Sequence, residues 1–280
     1  MSTGIDYEAE YNNRARVPEH PAIIEGWAKD AAAFRAEMGA NAEIGLGYGG
    51  AARRSYDLFR PAHQAGDALV VFIHGGYWQA LEPAFFSHMA RGLVARGVPV
   101  AAPGYDLCPE VTIGEIVAEM RAAMAALWWR FSTPIVVAGH SAGGHLAACL
   151  LATNWPAVDP ALPPGLVRSA YSISGLFDLA PLVSTSINAK LGLDAASARA
   201  QSPLFWPAPA GLLLDAVAGG AESAEYHRQS RTIVDAWALE GVKTRFEAIP
   251  GANHFTVIAP LADPASAMTA RLAALAGAVA

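Results

Sequence analysis

The sequence predicts an α/β fold, a mostly parallel central sheet flanked by helices. Three observations predict it. Short apolar runs alternate along the chain with segments of helical spacing. Hydrophobic residues make up 53% and charged residues 16% of 280, enough to bury a sizeable core. Gly139-His140-Ser141-Ala142-Gly143 matches Gly-x-Ser-x-Gly, the sharp strand-to-helix turn that holds a serine clear of a parallel sheet.

Residues 1–45 read as an N-terminal extension of one domain covering 1–280. Within it Pro21 to Met38 has helical spacing, with Ile23, Ile24, Trp27 and Phe34 on one face. Ser55 to Phe59 reads as an early strand and Ala68 to Ile73 as a strong buried one. Pro83 to Arg96 is expected to be a helix, Val98 to Pro103 a strand, and Thr112 to Phe131 an amphipathic helix. Pro134 to Ala138 and Ala142 to Thr153 supply the strand and helix around Ser141. Arg168 to Ser174, Leu212 to Ala218 and Lys243 to Ile249 are further strands. Ser223 to Glu240 and the alanine-rich stretch from Pro260 are helical. Residues 176–210 are too long for a simple connection. They form either a small cap beside the site or a surface excursion whose aromatics tuck into the core.

Composition excludes several classes of function. The net charge of −6 has no clustering and no Lys/Arg-rich run occurs, so no nucleic-acid partner is expected. Cys108 and Cys149 lie far apart in apolar surroundings and read as reduced thiols. The first residues lack a basic segment and an apolar core, and no stretch resembles a membrane span. A cytoplasmic protein acting on a small molecule is therefore expected, with no membrane partner. No two histidines have metal-ligand spacing with a carboxylate, so neither a metal nor a cofactor is implied. Several apolar loops are compatible with a homodimer.

A serine needs a base to take its proton. In this architecture the acid and then the histidine follow the serine along the chain. His254, in the loop after Lys243–Ile249, stands where the base belongs, and Glu222 follows the preceding strand. Asp178, one strand earlier, is the rival acid. The developing oxyanion needs preorganised N–H donors. Ala142 supplies one, and Gly75 and Gly76, in His74-Gly75-Gly76-Tyr77-Trp78, supply the others. Tyr77, Trp78, Tyr105, Phe177 and Trp206 fall in loops expected near the serine and are the candidate substrate-binding residues. His74, His140 and His145 read as packing or supporting residues.

These motifs resemble the hormone-sensitive-lipase-like branch of the α/β-hydrolases, and more closely the kynurenine formamidase (arylformamidase) family. Gly104-Tyr105-Asp106-Leu107-Cys108-Pro109, Ser174-Gly175-Leu176-Phe177-Asp178-Leu179, the segment from Glu222 to Ser230, and Asn253-His254-Phe255 carry the resemblance, which runs from about residue 55 to 260. It implies a cofactor-independent serine hydrolase that removes the N-formyl group of an aromatic amine, N-formylkynurenine being the family's signature substrate. One departure is that the family usually has aspartate where Glu222 stands. The alternatives are a carboxylesterase or another amide or carbamate hydrolase with the same triad, and a non-catalytic ligand-binding protein of the same fold.

Overall fold

The computed structural model describes residues 4–65 and 68–279. Eight strands are found among them: β1 (Ala42–Gly47), β2 (Ser55–Phe59), β3 (Leu69–Ile73), β4 (Val100–Pro103), β5 (Ile135–His140), β6 (Val167–Ile173), β7 (Leu213–Gly219) and β8 (Lys243–Ile249). They form one sheet in the order β1-β2-β4-β3-β5-β6-β7-β8. β1 and β2 pair antiparallel, as do β2 and β4, and every pairing from β4 onward to β8 is parallel.

The inner strands are apolar on both faces because helices cover both sides. Their side chains alternate between two cores. Leu69, Val71 and Ile73 of β3, with Ile135 and Val137 of β5, join one core. Val70, Phe72, Val136 and Ala138 point to the other. Helices Ile113–Phe131, Ala142–Leu151 and Ala224–Leu239 close the first side, through residues such as Met120, Leu146 and Trp237. Helices His20–Met38 and Ala267–Val279 close the second, through Trp27, Phe34 and Leu272. The helix at Ile113 starts on a reciprocal cap: the Thr112 hydroxyl accepts from the Glu115 amide, and the Glu115 carboxylate accepts from the Thr112 amide.

Several elements differ from the sequence expectation. The helix expected from Pro260 starts only at Ala267, after a 3-10 turn at Ala259–Ala262. β1 was not expected, and lies where the extension was to end; its half-exposed edge carries little apolar signal. Pro83 to Arg96 is not one helix. It is two 3-10 turns, Pro83–Phe85 and Ser87–Ala90, followed by the short helix Arg91–Ala95. All four residues of Ser87–Ala90 are buried. A regular surface helix would turn one of any four consecutive residues to solvent, whereas this segment is packed between the helix His20–Met38 and the chain around Leu261.

Register places the chemistry. Ile73 of β3 pairs with Gly139 of β5, His140 with Ile173 of β6, Ile173 with Val217 of β7, and Gly219 with Ile249 of β8. The parallel strands thus end along one edge, and the turns that follow them, 74–78, 141–143, 174–178, 219–222 and 250–254, meet there. Carboxyl ends of parallel strands are where such sheets carry their sites.

Candidate active site

Ser141 sits between β5 and the helix Ala142–Leu151 with φ 57° and ψ −117°. L-residues rarely occupy that region, so the turn is strained. Close packing holds it. A Cβ on Gly143 would lie 2.0 Å from the Ile73 carbonyl oxygen, so only glycine fits under the turn. The Ser141 amide donates to the Ile173 carbonyl (2.8 Å), fixing the turn to β6.

His254 and Glu222 come together as the sequence expects. His254 Nδ1 lies 2.8 Å from Glu222 Oε1. Because the carboxylate accepts, Nδ1 carries the hydrogen and Nε2 is left as the basic atom. The Glu222 side chain is fully buried and accepts from two further donors. The Ser174 hydroxyl donates across both carboxylate oxygens (2.8 and 3.0 Å), and the Gly219 amide donates to Oε2 (3.2 Å). The turn bearing Glu222 is also tied to the segment leading into His254. The Gly220 amide donates to the Ile249 carbonyl and the Ala221 amide to the Ala252 carbonyl. Asp178 is occupied elsewhere: its Oδ1 accepts from the Ala180 amide (3.1 Å), capping a local turn.

His140, buried beside Ser141, donates from Nε2 to the His254 carbonyl (2.8 Å). Burial, with the neighbouring His254 adding to it, holds its pKa well below the usual histidine value, so it is neutral. His74 is likewise pushed down to about 4 by burial. Its Nδ1 donates to the Gly75 carbonyl (2.7 Å), and its ring stacks on Tyr105 at 4.3 Å. The Tyr105 hydroxyl donates to the His74 carbonyl (3.0 Å). These bonds brace the Gly75-Gly76 loop from beneath. Gly76 has φ 114°, and a Cβ there would meet the Ala80 carbonyl oxygen at 2.2 Å. The amides of Gly75 and Gly76 have no acceptor among the described residues. Ala142 begins its helix, so its amide has no intrahelical partner either.

Ser141, His254, Gly75, Gly76 and Tyr77 share one pocket. Its other walls are Ile24, Trp27, Leu81, Phe86, His140, Phe255, Asn13 and Arg14. Of the aromatics that the sequence suggested for substrate binding, Tyr77 lines the pocket and four do not. Trp78 and Phe177 are fully buried in the core. Tyr105 is fully buried under the loop. Trp206 faces away, its indole N–H on the Ala200 carbonyl and its ring under Arg121. The physical reason at Tyr77 and Trp78 is two successive positive φ angles, 51° and 56°, which turn Tyr77 to the site and Trp78 into the core.

Sequence reasoning missed Asn13, Arg14, Trp27, Phe86 and Phe255 as pocket walls, and Ser174 as a partner of the acid. Trp27 was legible as a packed helix face; nothing local says that the face closes a pocket. Among the described residues no group of three or more His, Cys, Asp or Glu converges to hold a metal.

This geometry is that of an α/β-hydrolase, and residues 70–257 match the family model described as the alpha/beta hydrolase fold. The chain is 32% identical to the kynurenine formamidase of Salmo salar over 79% of this chain and 77% of the relative. It is 31% identical to that of Danio rerio over 77% and 75%. A crystal structure of a thioesterase candidate from Silicibacter sp. TM1040 superposes with a TM-score of 0.84 at 37% identity, covering 95% of this chain and 98% of the other. The chain belongs to the kynurenine formamidase family of the α/β-hydrolases.

Proposed function

We propose that the protein is a serine hydrolase that cleaves an N-formyl aromatic amide of the N-formylkynurenine type through an acyl-enzyme. The observation that carries it is the His254–Glu222 pair at 2.8 Å beside Ser141 at a strained turn, in a chain akin to kynurenine formamidases. Ser141 Oγ attacks the formyl carbon while its proton passes to His254 Nε2. The carbonyl oxygen becomes an oxyanion under the amides of Gly75, Gly76 and Ala142. As the intermediate collapses the C–N bond breaks, and His254 gives its proton to the leaving arylamine. Water, deprotonated by His254, then attacks the formyl ester. Formate leaves, and the proton returns to Ser141.

Glu222 keeps Nδ1–H facing it and stabilises the imidazolium. Trp27, Tyr77, Phe86 and Phe255 supply the apolar faces for an aryl leaving group. The chain has no helix, among the described residues, long and apolar enough to cross a membrane. Cys108 and Cys149 are free and buried, which goes with a cytoplasmic setting. A second reading, ester or thioester cleavage by the same groups, is favoured by the likeness to the Silicibacter thioesterase candidate. Parallel assays on N-formyl-L-kynurenine and 4-nitrophenyl acetate test the choice. A kcat/KM at least tenfold higher on the formamide is expected. Ester cleavage without deformylation would overturn the formamide reading and leave the hydrolase.

A further inference from the structure

Beside the pocket of Ser141 lies a second cavity, open to solvent. The two share Asn13, Arg14, Gly76 and Tyr77 as walls. The second cavity carries two cations, Arg14 and Lys190, and no carboxylate, on a chain of net charge −6. Glu8 stands close by without lining it. Its carboxylate accepts from the Ser186 amide (2.7 Å) and hydroxyl (2.8 Å), and these bonds hold its pKa low.

Arg14 differs from every other arginine of the chain. Each of the others has a hydrogen bond, an ion pair or an aromatic ring as partner. Among the described residues Arg14 has none, and it lines both cavities. A guanidinium presents a planar fork that matches a carboxylate, and Lys190 adds a point charge on the same cavity.

We infer that this second cavity seats a carboxylate on the substrate, with Arg14 and Lys190 as specificity-determining residues. The inference rests on the formamide reading of this site. A formyl group is one carbon, so everything else in such a substrate lies on the leaving-amine side, and the carboxylate is carried there. The arylamine product keeps the same group and therefore occupies the same seat.

The test is competition against 4-nitrophenyl acetate hydrolysis by kynurenine, which has the carboxylate, and by its primary carboxamide, which does not. In the unaltered protein kynurenine is expected to inhibit at least tenfold more strongly than the carboxamide. R14Q/K190Q should bring the two inhibition constants to within about twofold, and R14K should keep most of the preference. Each result is a ratio within one protein, so a change in basal rate cancels. Equal inhibition by the two compounds in the unaltered protein, no inhibition by either, or a ratio that survives R14Q/K190Q would overturn the inference. Because the readout is ester cleavage, a protein that fails to deformylate N-formylkynurenine would overturn the formamide reading while leaving this measurement decisive.

Discussion

The floor and the roof of the pocket are built by opposite means. The floor is the set of turns that end the parallel strands, and main-chain bonds hold it. Ser141 is tied to β6, and the Glu222 turn to the segment before His254. The roof comes from residues 7–34, and side chains hold it. Asn13 Nδ2 donates to Tyr77 Oη (2.9 Å) and Tyr226 Oη (2.7 Å), and the Tyr77 hydroxyl donates to the Tyr11 carbonyl. The Tyr11 hydroxyl donates to Glu225 (2.7 Å), and Trp27 packs on Phe255 and Phe86. A floor made of backbone fixes reacting atoms tightly. A roof made of side chains can change composition without disturbing them. On the proposed mechanism, the difference puts chemistry in the first and selectivity in the second.

The sharpest way to break that assignment is at the floor. Ser141→Ala should lower kcat by ~10⁴-fold or more, since triad members act as a unit. Thermal unfolding of the variant should match the parent, because the alanine keeps the turn. Residual turnover above about a hundredth of the parent would sink the mechanism. Gly76→Ala comes next. The new Cβ meets a carbonyl oxygen 2.2 Å away at φ 114°, so the loop must shift and its amides lose their aim. A fall in kcat of ~10²–10³-fold, the usual cost of a lost oxyanion donor, is expected, with substrate KM little changed. An unchanged kcat would show that the Gly76 amide takes no part.

Acid should loosen the floor as well. His74 and His145 are both pushed down to about 4 by burial. Unfolded, they take up protons as pH falls through the ordinary histidine value near 6.5, before the folded chain does. Their contribution to stability is therefore complete above pH ~6.5 and is lost as pH falls toward 4. Each group gives a slope of up to ~1.4 kcal/mol per pH unit within that window. Urea unfolding at pH 7, 5.5 and 4.5 reads the slope, and a flat profile would contradict neutral burial of these rings.

Legibility in the sequence follows the same division. Ser141, His254, Glu222 and the Gly75-Gly76 loop are recognisable because each is a short motif whose backbone requirement is written in adjacent residues. The strands carrying them are legible as apolar runs buried on both faces. The roof is not, because Asn13 and Trp27 become pocket walls only through contacts with residues far along the chain. Trp78 misleads for a related reason. It adjoins a site residue, yet one further positive φ rotates it into the core, and neighbours in sequence take opposite sides. Phe255 likewise stood inside a recognised motif, but its place against Trp27 depends on how the helix His20–Met38 docks.

The smallest effect sharpens the comparison most. Asn13 is 3% exposed and bridges the Tyr77 and Tyr226 hydroxyls, joining roof to floor at the edge of the loop that carries Gly76. Asn13→Ala removes both bonds and leaves two buried phenol oxygens with one donor fewer. A stability loss of ~1–3 kcal/mol is expected from unmet hydrogen bonds of this kind. The Ser141, His254 and Glu222 contacts do not pass through Asn13, so kcat on 4-nitrophenyl acetate, a compound too small to need the roof, should fall less than about threefold. KM for an aryl formamide should rise several-fold, because Tyr77 keeps its bond to the Tyr11 carbonyl but loses the Asn13 donor that helps fix it in the pocket wall. Steady-state kinetics on both substrates, beside thermal unfolding, separate the two terms. A fall in kcat as large as that from Gly76→Ala would mean that the roof positions the reacting groups, and that the split between chemistry below and selectivity above is wrong.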